Sequence, residues 1–226
     1  MKLIMESWRR FLREHEEVDS RIQTQIDRLL QWPQLNIKIF TYGKDKIIFQ
    51  YVIRGADGKS ERPILMRDAG YPVGAITIRR SISNKEDRDY DGPCTGGWIV
   101  ESSNATKNMG PLLYDVAMEW ASQNGSGLMA DRNMVFGNAR AVWDKYSQRD
   151  GVEEIQLDID HDVSGKMFKS FPRLTRDYLP DDCDQEMAVE MHGDAWSESS
   201  LSRVYRKNIP EVMTKLAEYG RLIDET

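Results

Sequence analysis

Between Trp98 and Tyr146 the chain switches twice between the two-residue and the 3.6-residue periodicity, and this order narrows the possible folds more than anything else in it. Gly97-Trp98-Ile99-Val100-Glu101-Ser102 reads as a strand and Ser103 to Asn108 as a polar turn. From Pro111 onward, Leu112, Leu113, Val116, Ala117, Trp120 and Ala121 follow the i, i+3, i+4 spacing of one apolar helical stripe. Asp115 and Glu119 lie off that stripe, and Asn124-Gly125 supplies a C-terminal stop. A second strand, Gly127 to Ala130, and a second helix, Asn138 to Tyr146, follow; Ala139, Val142, Trp143 and Tyr146 share one face of that helix. Val152 to Leu157 then alternates like a half-buried strand. A strand that passes through a polar turn into a helix start presents backbone N–H groups to an anion such as phosphate. Pro111 suits the first helical position, where its missing N–H costs nothing, and Gly110 permits close approach of a ligand.

The flanking sequence extends this centre in both directions. Residues 1–33 read as a helix with Ile4, Trp8, Phe11, Leu12, Val18, Ile22, Ile26 and Leu29 near a heptad stripe, ended by Trp32-Pro33. Such a stripe packs on the parent domain more readily than it forms a zipper of three heptads. Strands are expected at 37–41, 46–53, 62–67 and 73–80, with turns at Tyr42-Gly43-Lys44-Asp45, Ala56-Asp57-Gly58-Lys59 and Gly70-Tyr71-Pro72. Ser81 to Gly97 reads as a loop that covers a site. The expected architecture is therefore α/β (α+β): a mixed, mostly antiparallel sheet over residues 34–158, flanked by helices, with an N-terminal helix and an extension from 159 to 226. The extension carries acidic clusters and a final helix from about Pro210 to Tyr219; it either docks on the centre or recognises a partner.

Charge and composition remove several classes of function. A net charge of −6 argues against nucleic-acid binding driven by phosphate neutralisation. No apolar run approaches the ~20 residues of a membrane span, and Arg9, Arg10, Glu14, Glu16 and Glu17 break any secretory-signal pattern. Cys94 and Cys183, far apart, give no disulfide framework, and a reducing cytoplasm is the default compartment. His15, His161 and His192 form no metal motif. The Asp158, Asp160, His161, Asp162 cluster lacks the spacing of a calcium loop and reads as solvated.

The order strand, Gly-containing turn, helix, strand, Asn-x-x-Ala-x-x-x-x-Tyr helix (Asn138, Ala141, Tyr146), strand resembles the GNAT superfamily of acyl-CoA-dependent N-acetyltransferases. That family's pyrophosphate loop runs Arg or Gln, two residues, Gly, one residue, then Gly or Ala. With its last small residue on Gly110, the first Gly falls on Asn108 and the Arg or Gln on Ala105. The resemblance implies acetyl-CoA as cosubstrate and a primary amine, on a small molecule or a protein, as acceptor. It implies that Val100 and Ser102 on the strand align the thioester. Lys107, Asn108, Met109, Gly110 and Leu112 would hold the pyrophosphate, chiefly through backbone N–H groups. Asn138 would bond the pantetheine arm, Glu101 would deprotonate the amine, and Tyr146 would protonate the leaving thiolate. Tyr146→Phe is accordingly expected to lower kcat and to spare stability.

Each of these residues also has a plainer role: Glu101 as a solvent-facing strand residue, Tyr146 as a core tyrosine, Asn138 as a helix cap, and Lys107 to Leu112 as a bare turn. Two functions follow. One is direct acetyl transfer within a ternary complex; the other is a non-catalytic GNAT-fold module that binds protein through the N-terminal helix or the C-terminal tail. The opening Met-Lys-Leu-Ile-Met-Glu-Ser-Trp-Arg-Arg-Phe-Leu resembles the openings of tailed-bacteriophage proteins, which implies a host-directed or virion-associated role in the host cytoplasm.

Overall fold

A computed structural model describes residues 20–55, 60–64, 70–81, 94, 96–131, 135, 138–159, 174–175, 184–185 and 198–226. The first part of the expected N-terminal helix, positions 65–67 of the third expected strand, and His15, Asp160, His161, Asp162, Cys183 and His192 lie outside those residues.

The strands are β1 (Leu35–Tyr42), β2 (Lys46–Arg54), β3 (Glu61–Pro63), β4 (Gly74–Arg80), β5 (Trp98–Ala105), β6 (Leu128–Met129), β7 (Glu153–Gln156), β8 (Asp158–Ile159), β9 (Leu174–Thr175), β10 (Asp184–Gln185), β11 (Arg203–Arg206) and β12 (Leu222–Glu225). The helices are α1 (20–30), α2 (Gly110–Gln123), α3 (Asn138–Tyr146) and α4 (Glu211–Glu218). The main sheet runs β12-β1-β2-β4-β5-β6-β11-β7, with β3 paired to β2; β8, β10 and β9 form a small second sheet. Every pairing in the main sheet is antiparallel except β1–β12 and β5–β6. The fold is a mixed α/β arrangement with a mostly antiparallel open sheet and flanking helices.

Alternation along the strands sorts the two faces of the sheet. Ile37, Ile39, Ile47, Phe49, Tyr51, Ile76, Ile78, Trp98 and Val100 join one core with α1, α2 and α4. From α1 come Ile22, Ile26 and Leu29, at i, i+4, i+7, all wholly buried. Trp120 of α2 meets Phe49 and Trp98 edge-on, with ring centroids 5.9 and 5.0 Å apart. The opposite face carries a smaller cluster of Ile99, Met129, Leu157, Val204 and Cys94.

Several boundaries differ from the sequence expectation for physical reasons. β5 runs through Ser103 and Asn104 to Ala105, because β4 supplies ladder partners there: Ile76 for Ser103, Ala75 for Asn104, Gly74 for Ala105. The turn before α2 is correspondingly short. β3 stops at Pro63, which has no N–H to give to a ladder. Leu201 to Lys207, where no strand is expected from the sequence, contains β11, which sits between β6 and β7. Gly220, at φ 62°, then turns the chain into β12, which pairs in parallel with β1. The C-terminal segment thus contributes two strands and a helix to the main body.

Asp115 and Glu119 are both wholly buried, although they lie off the apolar stripe of α2. The sheet, α3 and α4 together surround that helix, and each acid has a cation inside. Glu119 accepts from Lys207 Nζ at 2.5 Å and from the backbone N–H groups of Val212 and Met213 at 2.9 and 2.7 Å. It therefore caps the start of α4 from a neighbouring helix, as an N-terminal carboxylate does from within one. Burial pushes the Glu119 carboxyl above its ordinary pKa, and Lys207 and the two N–H donors pull against that rise.

Candidate functional site

β5 and β6 share a parallel ladder at only two positions, Trp98↔Leu128 and Ile99↔Met129. β6 then ends, whereas β5 continues from Val100 to Ala105 without it. The edge of β5 that faces β6 is thus released from pairing with it just where the chain approaches α2.

The turn that follows is fastened at both sides. Thr106 N–H donates to the Val73 carbonyl at 2.8 Å, and the Thr106 hydroxyl accepts from Val73 N–H at 3.0 Å. Met109 N–H returns to the Thr106 carbonyl at 2.9 Å, and Tyr51 donates its hydroxyl to the Met109 carbonyl at 2.8 Å. Asn108 takes φ 68°, the left-handed region where glycine is commonest and Asn the best-tolerated substitute. Among the described residues no side chain caps α2, and its first turn holds no acid. Lys107 and Asn108 are exposed there; Met109 and Leu112 have buried side chains, so only their backbones face the turn. A methyl group on Gly110 would lie 3.6 Å from Ala105 Cβ, an ordinary contact, so internal packing does not require glycine at that position.

Opposite this turn along β5, Ile78 pairs with Val100 and Thr77 with Ser102, which leaves Glu101 as the extra residue of a β-bulge. The bulge sends Glu101 to Lys46 of β2, two strands away, with Nζ and Oε1 2.6 Å apart. The Val100 side chain is buried in the main core, and Ser102 is exposed.

Tyr146 is buried at the α2–α3 junction and donates its hydroxyl to Asp115 Oδ1 at 2.8 Å. Arg149 forms an ion pair with the same oxygen and lies over the Tyr146 ring, 5.5 Å from its centroid. Burial and the Asp115 charge hold the Tyr146 proton well above the ordinary phenol pKa, against the opposing pull of Arg149. Burial works against the Arg149 charge, and Asp115, together with Tyr146 and Glu119, more than restores it. Asn138 is the first residue of α3.

The structure thus joins Lys107 to Leu112 to the end of β5, and ties Glu101 and Tyr146 to partners the sequence reading did not name: Lys46, Asp115 and Arg149. Cys94 is disulfide-bonded, in contrast to the expectation from two widely spaced cysteines. No helix among the described residues is long and apolar enough to cross a membrane. No protein-family model, curated protein or solved structure matches the chain.

Proposed function

We propose that the chain is a GNAT-type acyltransferase that moves an acetyl group from acetyl-CoA directly to a primary amine. The observation that carries this reading is the separation of β5 from its parallel neighbour β6 beside the uncapped start of α2. A thioester laid along the released edge of β5 finds backbone hydrogen-bonding groups, and a pyrophosphate at the turn finds the N–H groups and positive end of a helix. Asn108 is compatible with the alignment to the family loop's glycine, since it adopts the left-handed conformation that glycine takes most readily.

In this mechanism the acceptor nitrogen attacks the thioester carbonyl, Glu101 takes its proton, and CoA leaves as thiolate. Alignment supplies most of the rate, with the base adding a further factor. We assign Tyr146 to the scaffold: its hydroxyl is committed to Asp115, and a raised pKa makes it a poor acid.

The runner-up is a GNAT-fold module without catalysis. It is favoured by Ala105 at the loop position where the family carries Arg or Gln. Calorimetric titration with acetyl-CoA and with CoA separates the two readings: binding is expected, and silence at millimolar ligand would leave the binding module. Lys107→Glu should weaken the measured affinity by about 1 kcal/mol at low salt, because it places like charge beside the anion. Unchanged affinity would remove Lys107 from the site.

A further inference from the structure

We infer that Lys46 is itself an acceptor, so that the site acetylates a lysine of its own chain. The inference rests on the acyl-transfer reading and on one juxtaposition: a primary amine held against the carboxylate that serves as base. Lys46 opens β2, and alternation puts Ile47, Phe49 and Tyr51 into the core under α2, so Lys46 emerges on the other face of the sheet. The bulge brings Glu101 to that face as well. A base must lie within about 2.6–3.2 Å of the nitrogen it deprotonates. Lys46 Nζ meets that condition, at 2.6 Å from Glu101 Oε1.

Accessibility distinguishes this pair from the other lysine–carboxylate pairs among the described residues. The side chains of Lys46 and Glu101 keep 31% and 19% of their surface exposed, enough for a thioester to reach the amine. Lys207 and Glu119 keep 4% and 0%, and no acyl donor reaches them. Lys38 is paired with Glu61 and Glu225 and is 22% exposed, but it lies on β1, away from β5. It is an internal control for uncatalysed acetylation.

In the reaction, Glu101 takes one proton from the Lys46 ammonium, and the freed amine forms a bond to the acetyl carbonyl carbon. The carbon–sulfur bond breaks with its electron pair on sulfur, the second proton lost from nitrogen goes to the CoA thiolate, and Glu101 releases its proton to solvent. The product, an Nε-acetyl-lysine, is neutral. The ion pair is lost, and Glu101 is free to receive an external amine. Acetylation of Lys46 therefore unmasks the base.

The full chain is incubated with acetyl-CoA, and acetylation at each lysine is followed by peptide mass spectrometry, with CoA binding measured in parallel by calorimetry. Lys46 is expected to be acetylated about a hundredfold faster than Lys38 and the exposed Lys145, the lower end of what a positioned base contributes. Glu101→Gln should bring Lys46 down to the rate of the controls, and Lys46→Arg should remove the fast addition while circular dichroism stays unchanged. If acetyl-CoA binds and Lys46 is acetylated no faster than the controls, or as fast in Glu101→Gln, this inference is overturned and the acyltransferase reading stands. Absence of acetyl-CoA binding overturns both.

Discussion

Replacing Asp115 by Asn exchanges one oxygen for an amide nitrogen and leaves the shape of the α2–α3 junction intact. Its effect is therefore electrostatic. Asp115 is wholly buried, and the Arg149 side chain keeps only 5% of its surface exposed. Arg149 cannot lose its proton at any ordinary pH, so in Asp115→Asn the guanidinium stays charged inside the protein without a carboxylate. Two of its nitrogens, Nε and Nη2, already have no hydrogen-bond partner, and little local compensation remains. Removing one member of a buried pair costs about 3–5 kcal/mol. Glu119, one turn along α2, still acts favourably on the Arg149 charge, which places the cost near the lower end, about 3 kcal/mol.

For a chain of this length that corresponds to a fall in Tm of about 6–12 °C. Urea unfolding followed by tryptophan fluorescence reads it directly, since Trp143 lies 6.3 Å from Tyr146, centroid to centroid. The double variant Asp115→Asn, Arg149→Met removes the stranded charge as well, and should be more stable than Asp115→Asn alone. A loss below about 1 kcal/mol in the single variant, or a double variant less stable than the single, would refute the reading of a desolvated ion pair.

Two further predictions follow from buried groups. Burial raises the pKa of Tyr51, Tyr114, Tyr146 and Tyr205, so the folded state holds these protons more tightly than the unfolded chain does. Their stabilisation is complete below the ordinary phenol range and is lost as pH rises above it, by up to about 5 kcal/mol per pH unit for four groups. Phenolate absorbance from these residues should rise together with the loss of circular dichroism; ionisation well before unfolding would contradict their burial. Gly127 adopts φ 113°, and a Cβ there would lie 2.6 Å from the Tyr205 carbonyl. Gly127→Ala should destabilise by about 2 kcal/mol or more in the same urea assay, and a neutral result would mean that β6 and β11 pack less closely.

The segment from β5 to β7 was legible because its signals are local: two-residue alternation, helical stripes, Pro at a helix start, Gly at a helix end. β11 and β12 were not, since a four-residue strand such as Arg203 to Arg206 is defined by the neighbours it finds, and Val204 and Tyr205 give almost no period alone. The placing of Asp115 and Glu119 off the stripe was sound as periodicity, but it assumed a helix covered on one side. Partners from 34 and 88 residues away in sequence bury both acids, and no spacing rule anticipates them. The same holds for Lys46, 55 residues from Glu101. The left-handed turn at Asn108 did carry a sequence signal, because Asn is the residue type, after Gly, that most readily takes that conformation.

Tyr146→Phe bears on the division between chemistry and scaffold, and the structure changes what it should show. From the sequence alone the substitution removes a proton donor and spares stability. In the folded chain the hydroxyl is one of two donors that reach Asp115 Oδ1, while Oδ2 has no partner. Loss of a buried hydrogen bond to a charged acceptor costs about 1.5–3 kcal/mol, although the ring keeps its packing against Trp143 and Tyr205. Tyr146→Phe should therefore lower stability by about 2 kcal/mol in urea. Under conditions where the variant remains folded, its kcat for acetyl transfer should match the parent. A scaffold role predicts this pair of results, stability lost and turnover per folded molecule retained. An acid for the thiolate predicts the reverse: kcat down by about a hundredfold or more, with stability unchanged because the hydroxyl faces sulfur and not Asp115. The second outcome would withdraw Tyr146 from the Asp115–Arg149 network and return it to the reacting centre.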